Sequence, residues 1–202
     1  MIEHPKFFAE NGYVVIPEML TGELLDFVGI HAYNRARIEG ANPEDNQVPN
    51  TPSFFGDFVM ENLHDFLLPR MEKATGLKLF PTYTYFRVYK NGDVLEKHKD
   101  RPSCEISVTL SLRKKQEEDM WAIFIENKDY RKKRNLSDGH TARAMLRQGD
   151  GLIYRGCECE HWRDKFEGTK LAQVFLHYVD QNGPNAEWKD DKKPNKYFAL
   201  DK

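Results

Sequence analysis

The sequence has few cysteines, no long apolar run and no surplus of charge of either sign. Each shortage excludes a class of protein. Three cysteines in 202 residues, Cys104, Cys157 and Cys159, are too few and odd in number for a disulfide framework, so a reducing, cytoplasmic location is expected. No stretch approaches the roughly 18 consecutive apolar residues of a membrane-spanning helix. The opening MIEHPKFFAENGYVV lacks the basic region and long apolar run of a signal peptide. Thirty Lys+Arg against thirty-two Asp+Glu leave a formal net charge of −2, which argues against a whole-chain nucleic-acid binder. There is no internal repeat, low-complexity tract or Pro/Gly/Ser-rich linker to divide the chain. What is present is ordinary: 40% hydrophobic and 31% charged residues, enough apolar material for a packed core and a length of about one domain.

Periodicity divides the chain in two. Residues 1–76 read as mainly helical support. Gly12 ends a short helix, Tyr13–Ile16 is a compact strand, and Thr21 is placed to cap a helix running to about Arg37, with Glu23 in its first turn. Gly40–Pro52 is a polar loop. Phe58, Val59, Leu63, Phe66 and Leu67 mark a further helix, which Pro69 is expected to break or restart before Gly76 ends it. Over residues 77–180 the period becomes two. Thr82–Tyr89, Glu105–Leu112, Met120–Ile125, Ala144–Leu146, Leu152–Tyr154 and Leu171–Val179 read as strands, and Gly149-Asp150-Gly151 as a tight turn. Residues 181–202 form a charged tail with Trp188, Tyr197 and Phe198 as docking anchors. Helices followed by many strands predict an α+β fold: a sandwich or barrel with helices on one side.

His98-Lys99-Asp100 is the chemical signal. On an extended chain, residues two apart point the same way, so an imidazole and a carboxylate converge on one ion. His161 is the best candidate for a third ligand. Two histidines and one carboxylate on one face of a metal leave open positions, the facial arrangement of non-haem Fe(II) oxygenases. H-x-D alone is a weak pattern, equally that of a strand-end histidine beside a solvated acid.

The surroundings add weight. Y-K-N-G-D-V-L-E-K-H-K-D, Tyr89 to Asp100, resembles the Tyr- and Gly-containing turn before the metal motif in the prolyl 4-hydroxylase-like branch of the Fe(II)/2-oxoglutarate-dependent dioxygenases. G-D-G-L-I-Y-R-G-C-E-C-E-H, Gly149 to His161, resembles that family's approach to its distal histidine. Lys170 stands nine residues further on, where the family places a basic residue. The resemblance implies a double-stranded β-helix, or jelly roll, backed by the N-terminal helices. It implies Fe(II) held by His98, Asp100 and His161, with 2-oxoglutarate oriented by Lys170 and Tyr89. Arg163, on the same side of an extended chain as His161, is the alternative clamp. The implied reaction couples oxidative decarboxylation of 2-oxoglutarate to hydroxylation of a C–H bond by O2, with ascorbate as an optional reductant. Asp100 itself favours hydroxylation, since related halogenases carry a small residue at that position.

A peptidyl proline is the first substrate the resemblance suggests. A free amino acid or other small molecule is the second, and a non-catalytic cupin-like metal-binding module is the alternative from another class. Tyr83, Tyr85, Arg87 and Arg155 are candidate substrate contacts. If the face of the last strand carrying Lys170, Ala172, Val174, Leu176 and Tyr178 points inward, the ammonium is desolvated and favours an anionic partner. His177, of opposite parity, reads as packing, and His4, His31, His64 and His140 as structural or surface residues. Cys157-Glu158-Cys159-Glu160-His161 has the makings of a soft-metal site but lacks knuckle spacing and a fourth ligand. Small cysteines packed beside the iron site are the preferred reading, with oxidation of their thiols a further route by which the site could be altered. Lys128–Arg134 reads as a solvated basic loop able to attract an acidic substrate.

Overall fold

A computed structural model describes residues 3–115 and 120–191; Tyr197 and Phe198 lie outside them. The helices are α1 (His4–Asn11), α2 (Gly22–Glu39), α3 (Phe58–Thr75) and α4 (Lys128–Lys133). The strands are β1 (Tyr13–Ile16), β2 (Ser53–Phe55), β3 (Leu79–Lys90), β4 (Leu95–His98), β5 (Ile106–Lys114), β6 (Ala122–Glu126), β7 (Thr141–Met145), β8 (Gly151–Tyr154), β9 (Glu160–Arg163) and β10 (Lys170–Asp180). They form two antiparallel sheets, ordered β1-β8-β5-β10-β3-β2 and β4-β9-β6-β7. This is the expected jelly roll. No helix among the described residues is long and apolar enough to cross a membrane.

The larger sheet has two chemically different faces. Phe86 and Val88 of β3, Val108 and Leu110 of β5, and Val174 and Leu176 of β10 pack against Val28 of α2 and Leu63, Leu67 and Met71 of α3. Each such fully buried side chain stabilises by about 1.5–3 kcal/mol. Residues of opposite parity, among them Tyr83, Tyr85, Tyr89, Leu171 and Phe175, form a second cluster inside the roll. Asp57 joins the helices to one another. Its carboxylate caps α3 by accepting from the Val59 and Met60 amides, and it also meets His31 and Arg35 of α2. Thr21 occupies the N-cap position of α2, but its hydroxyl makes no capping bond.

Three expectations need correction. Pro69 does not break α3, which is continuous through it. The proline removes one helical donor, while Leu67, Met71 and Ala74 bury the turns on either side of it. The Lys128–Arg134 run is largely helix α4 rather than loop. Its single ring, Tyr130, is buried and donates to the Ala9 carbonyl at 2.6 Å, and Arg131 donates to the Glu10 carbonyl. The face of β10 carrying Lys170 points to the helices, not into the roll. The amphipathic helices need an apolar floor, which Ala172, Val174 and Leu176 supply.

Candidate metal centre

The centre is built where the smaller sheet begins. β4 pairs with β9 in a register that sets His98 directly opposite His161, and their ring centroids are 4.3 Å apart. Asp100 leaves the end of β4 and is held by its amide, which donates to the Gly156 carbonyl at 2.9 Å. His98 Nε2 and His161 Nε2 each lie 3.5 Å from Asp100 Oδ1. One ligand atom from each of the three residues lies within 4.8 Å of the others. The Nδ1 atoms face backbone carbonyls, Glu96 at 2.7 Å and Cys159 at 3.1 Å. An Nδ1–H donating there leaves Nε2 with its lone pair for a cation.

Two features fit this trio to a divalent ion. Asp100 Oδ2 is buried without a hydrogen-bond partner, an expensive state for a carboxylate oxygen with no cation beside it. The carboxylate also sits against Gly156 so closely that a Cβ there would fall 2.3 Å from Oδ2 and 2.5 Å from the Cys104 carbonyl. Burial pushes the Asp100 carboxyl up, but the His161 and His98 rings outweigh that and hold it far below the usual carboxylate range. Burial pulls His98 down, and Asp100 with the Glu96 carbonyl more than reverses it.

A cavity of about 420 Å³ opens over this trio. Its walls include Tyr83, Tyr85 and Arg87 of β3, Phe55, Cys104, Tyr154, Phe175 and His177, and residues of the segment 42–47. Three of the four candidate substrate contacts are therefore present. Arg155 is elsewhere: its guanidinium lies over the Phe8 and Tyr130 rings and 3.6 Å from Glu158.

The two candidate carboxylate clamps separate cleanly. Lys170 is exposed at the start of β10, outside the cavity. Arg163, two residues beyond His161, is fully buried. It pairs across the sheet with the lining residue Leu95 and lies in the adjoining core rather than on the cavity wall. Arg163 Nη1 donates to the Trp121 carbonyl at 2.7 Å, while Nε and Nη2 have no partner. Burial pulls its guanidinium down to about 10, opposed by the neighbouring Tyr89 and Tyr154. Tyr89 is fully buried beside it, its ring 4.8 Å from that of Trp121. Between Leu171 and Phe175, the β10 residue facing the roll is Gln173, which accepts from Thr109.

Sequence reasoning missed Phe175, Tyr154, Gly156 and the 42–47 segment, and it misplaced His177. That imidazole lines the cavity, with Nδ1 2.8 Å from the Ser107 hydroxyl, and belongs to a second close group with Asp100 and Cys104. The remaining histidines examined for ligation are structural: His31 on Asp57, His64 on the His177 carbonyl, His140 on the Tyr13 hydroxyl. No Cys-x-Cys-x-His metal set assembles among the described residues. The Cys159 thiol turns to the Gly12 carbonyl and that of Cys157 to the Arg101 carbonyl. Burial pushes both thiols up to about 12, so they stay protonated at neutral pH.

No family model and no curated protein sequence matches the chain. Solved structures do. The non-haem α-ketoglutarate-dependent epimerase SnoN of nogalamycin biosynthesis superposes with a TM-score of 0.69 at 13% identity, over 88% of this chain and 82% of its own. A prolyl-4-hydroxylase from Pseudomonas putida gives 0.63 at 15% identity, covering 86% and 96%. HygX from Streptomyces hygroscopicus, crystallised with nickel and 2-oxoglutarate, gives 0.65 at 13%, covering 90% and 88%. The chain has the fold of the iron/2-oxoglutarate oxygenases. Their reactions differ, with epimerisation and proline hydroxylation on the same scaffold, so the fold leaves the reaction to be argued from side chains.

Proposed function

We propose that this chain is an Fe(II)/2-oxoglutarate-dependent oxygenase that hydroxylates a C–H bond of a compact substrate. The observation carrying this reading is a pair of unmet needs within one roll. One ligand atom from each of His98, Asp100 and His161 lies within 4.8 Å of the others, the second Asp100 oxygen is buried without a hydrogen-bond partner, and among the described residues no acid meets the fully buried Arg163. His98, Asp100 and His161 hold Fe(II) on one face. Arg163 is the better clamp for the distal carboxylate of 2-oxoglutarate than Lys170, because only Arg163 is desolvated and short of acceptors. Tyr89 adds its hydroxyl beside it. When bound, iron, 2-oxoglutarate and O2 would supply the oxidising chemistry, conversion of 2-oxoglutarate to succinate and CO2 coupled to hydroxylation of the substrate. The protein orients the reactants and keeps bulk water from the reacting centre. Of the two substrates suggested by the sequence, peptidyl proline and a free small molecule, the cavity favours the second, since the 42–47 segment forms part of its wall.

Anaerobic addition of Fe(II) and 2-oxoglutarate is expected to give a weak visible charge-transfer band, and admission of O2 to release succinate. His98→Ala should abolish both. Iron-loaded protein that shows neither signal would overturn the reading.

A further inference from the structure

The segment 42–51 is a built strap rather than a slack loop. Its base is closed by a bridge between Asn42 and Thr51, and the Thr51 hydroxyl donates to Asp93 at 2.8 Å. Val48 is buried in the cluster that contains Tyr83, Tyr85 and Phe175. Asp45 is latched by Arg87, whose Nε and Nη2 donate to it at 2.9 and 2.8 Å, and by the Tyr85 hydroxyl. Both partners of this ion pair are almost fully buried. Five strap residues line the cavity.

The charge inside is equally specific. Every lysine and arginine lining the cavity is already engaged: Arg87 by Asp45, Lys99 by Asp129 at 2.8 Å, and Arg101 by Asp191 at 2.6 Å. The Glu44 carboxylate and the Asn46 amide, on the strap, make no side-chain bond among the described residues. Phe55, Tyr83, Tyr85 and Phe175 line the same cavity, where the Arg87 guanidinium already lies over the Tyr85 ring and that of Arg101 over the Tyr83 ring. A carboxylate and an amide oxygen with no side-chain partner among the described residues suit an ammonium group on a compact polar body. No lysine or arginine of the wall is left uncommitted for a substrate carboxylate or phosphate.

Resting on the oxygenase reading, we propose that the strap selects a compact, amine-bearing small molecule, with Glu44 as the residue that recognises the ammonium. The occupant is a free molecule, and the strap excludes a peptide chain.

The test uses the full chain loaded with Zn(II) and 2-oxoglutarate, so that nothing turns over, and reads binding by saturation-transfer NMR. The probes are glucosamine and cyclohexylamine, each paired with its N-acetyl form, and an end-capped (Pro-Pro-Gly)5 peptide. The amines should bind, acetylation should weaken binding about tenfold or more, and the peptide should not bind. Glu44→Gln, an exposed and conservative change, should erase the preference for the amines. Equal binding of amines and acetyl forms, binding of neither, a preference that survives Glu44→Gln, or binding of the peptide would each overturn the proposal. The visible band of a parallel anaerobic iron sample reports the oxygenase reading separately. Its absence with amine selectivity intact refutes the chemistry and leaves the recognition standing.

Discussion

Two buried arginines face the interior of the roll from different strands, and their surroundings are opposite. Arg87 on β3 has a carboxylate of its own: Asp45 takes two of its hydrogen bonds and Gln47 a third at 3.0 Å. Burial pulls Arg87 down, but Tyr89, Tyr85 and Asp45 carry it above its ordinary value. Arg163 on β9 has one backbone carbonyl and a tryptophan face, and burial wins. A guanidinium with its counter-ion built in is a structural latch. One without is unfinished until an anion arrives, because a desolvated charge is costly alone and repaid only by a partner. The first ties the 42–51 segment to the cavity wall, and the second is suited to hold a cosubstrate.

The contrast can be broken from either side. Asp45→Ala leaves Arg87 buried and unpaired, and the expected loss of stability is about 3–5 kcal/mol, read by urea unfolding. Arg163→Met should have the reverse signature. The cosubstrate-free protein should melt no lower than the parent, while 2-oxoglutarate affinity, measured by calorimetry, falls roughly a hundredfold. Lys170→Ala should leave that affinity unchanged, and a large loss there would return the clamp to Lys170. Gly156→Ala forces a methyl into the Asp100 carboxylate and should cost about 1–3 kcal/mol, together with a drop in Fe(II) affinity seen by metal titration.

Acid sharpens the same comparison with the smallest effect. Burial raises the Asp45 carboxyl, but Arg87 and Tyr85 outweigh it and hold it at about 2. A carboxyl depressed in the folded state stabilises above its unfolded value and loses that contribution as pH falls. The latch should therefore be intact above about pH 4 and weaken toward pH 2, by about 1 kcal/mol after allowing for solvent at the mouth. Asp45→Asn should flatten that part of the stability profile, measured by denaturant titrations across the same range.

Much of the strand pattern was legible because burial on one face leaves a period of two, and the H-x-D motif was legible because its geometry is local. Two things were not. Parity says which β10 residues share a face but not which face looks inward. That follows the register Phe175↔Tyr85 with β3, a long-range fact that sets Lys170 off the cavity wall and His177 on it. The strap was hidden for a different reason. Gly40–Pro52 has the composition of any polar loop, and only the pairing of Asp45 with an arginine 42 positions further along the chain turns it into a wall. β4 (LEKH) and β9 (EHWR) are short and mostly polar, so neither left a strand signature.

That shortness has a consequence of its own. A four-residue pair has little to fix its alignment, and a slip of one residue would turn its side chains to the opposite face. With His98 and His161 facing one another across that pair, an ion bound by both acts as a cross-strand staple. Metal occupancy would then be read in the backbone: amides of β4 and β9 should exchange with deuterium faster once a chelator has stripped the ion, while β3, β5 and β10 exchange as before.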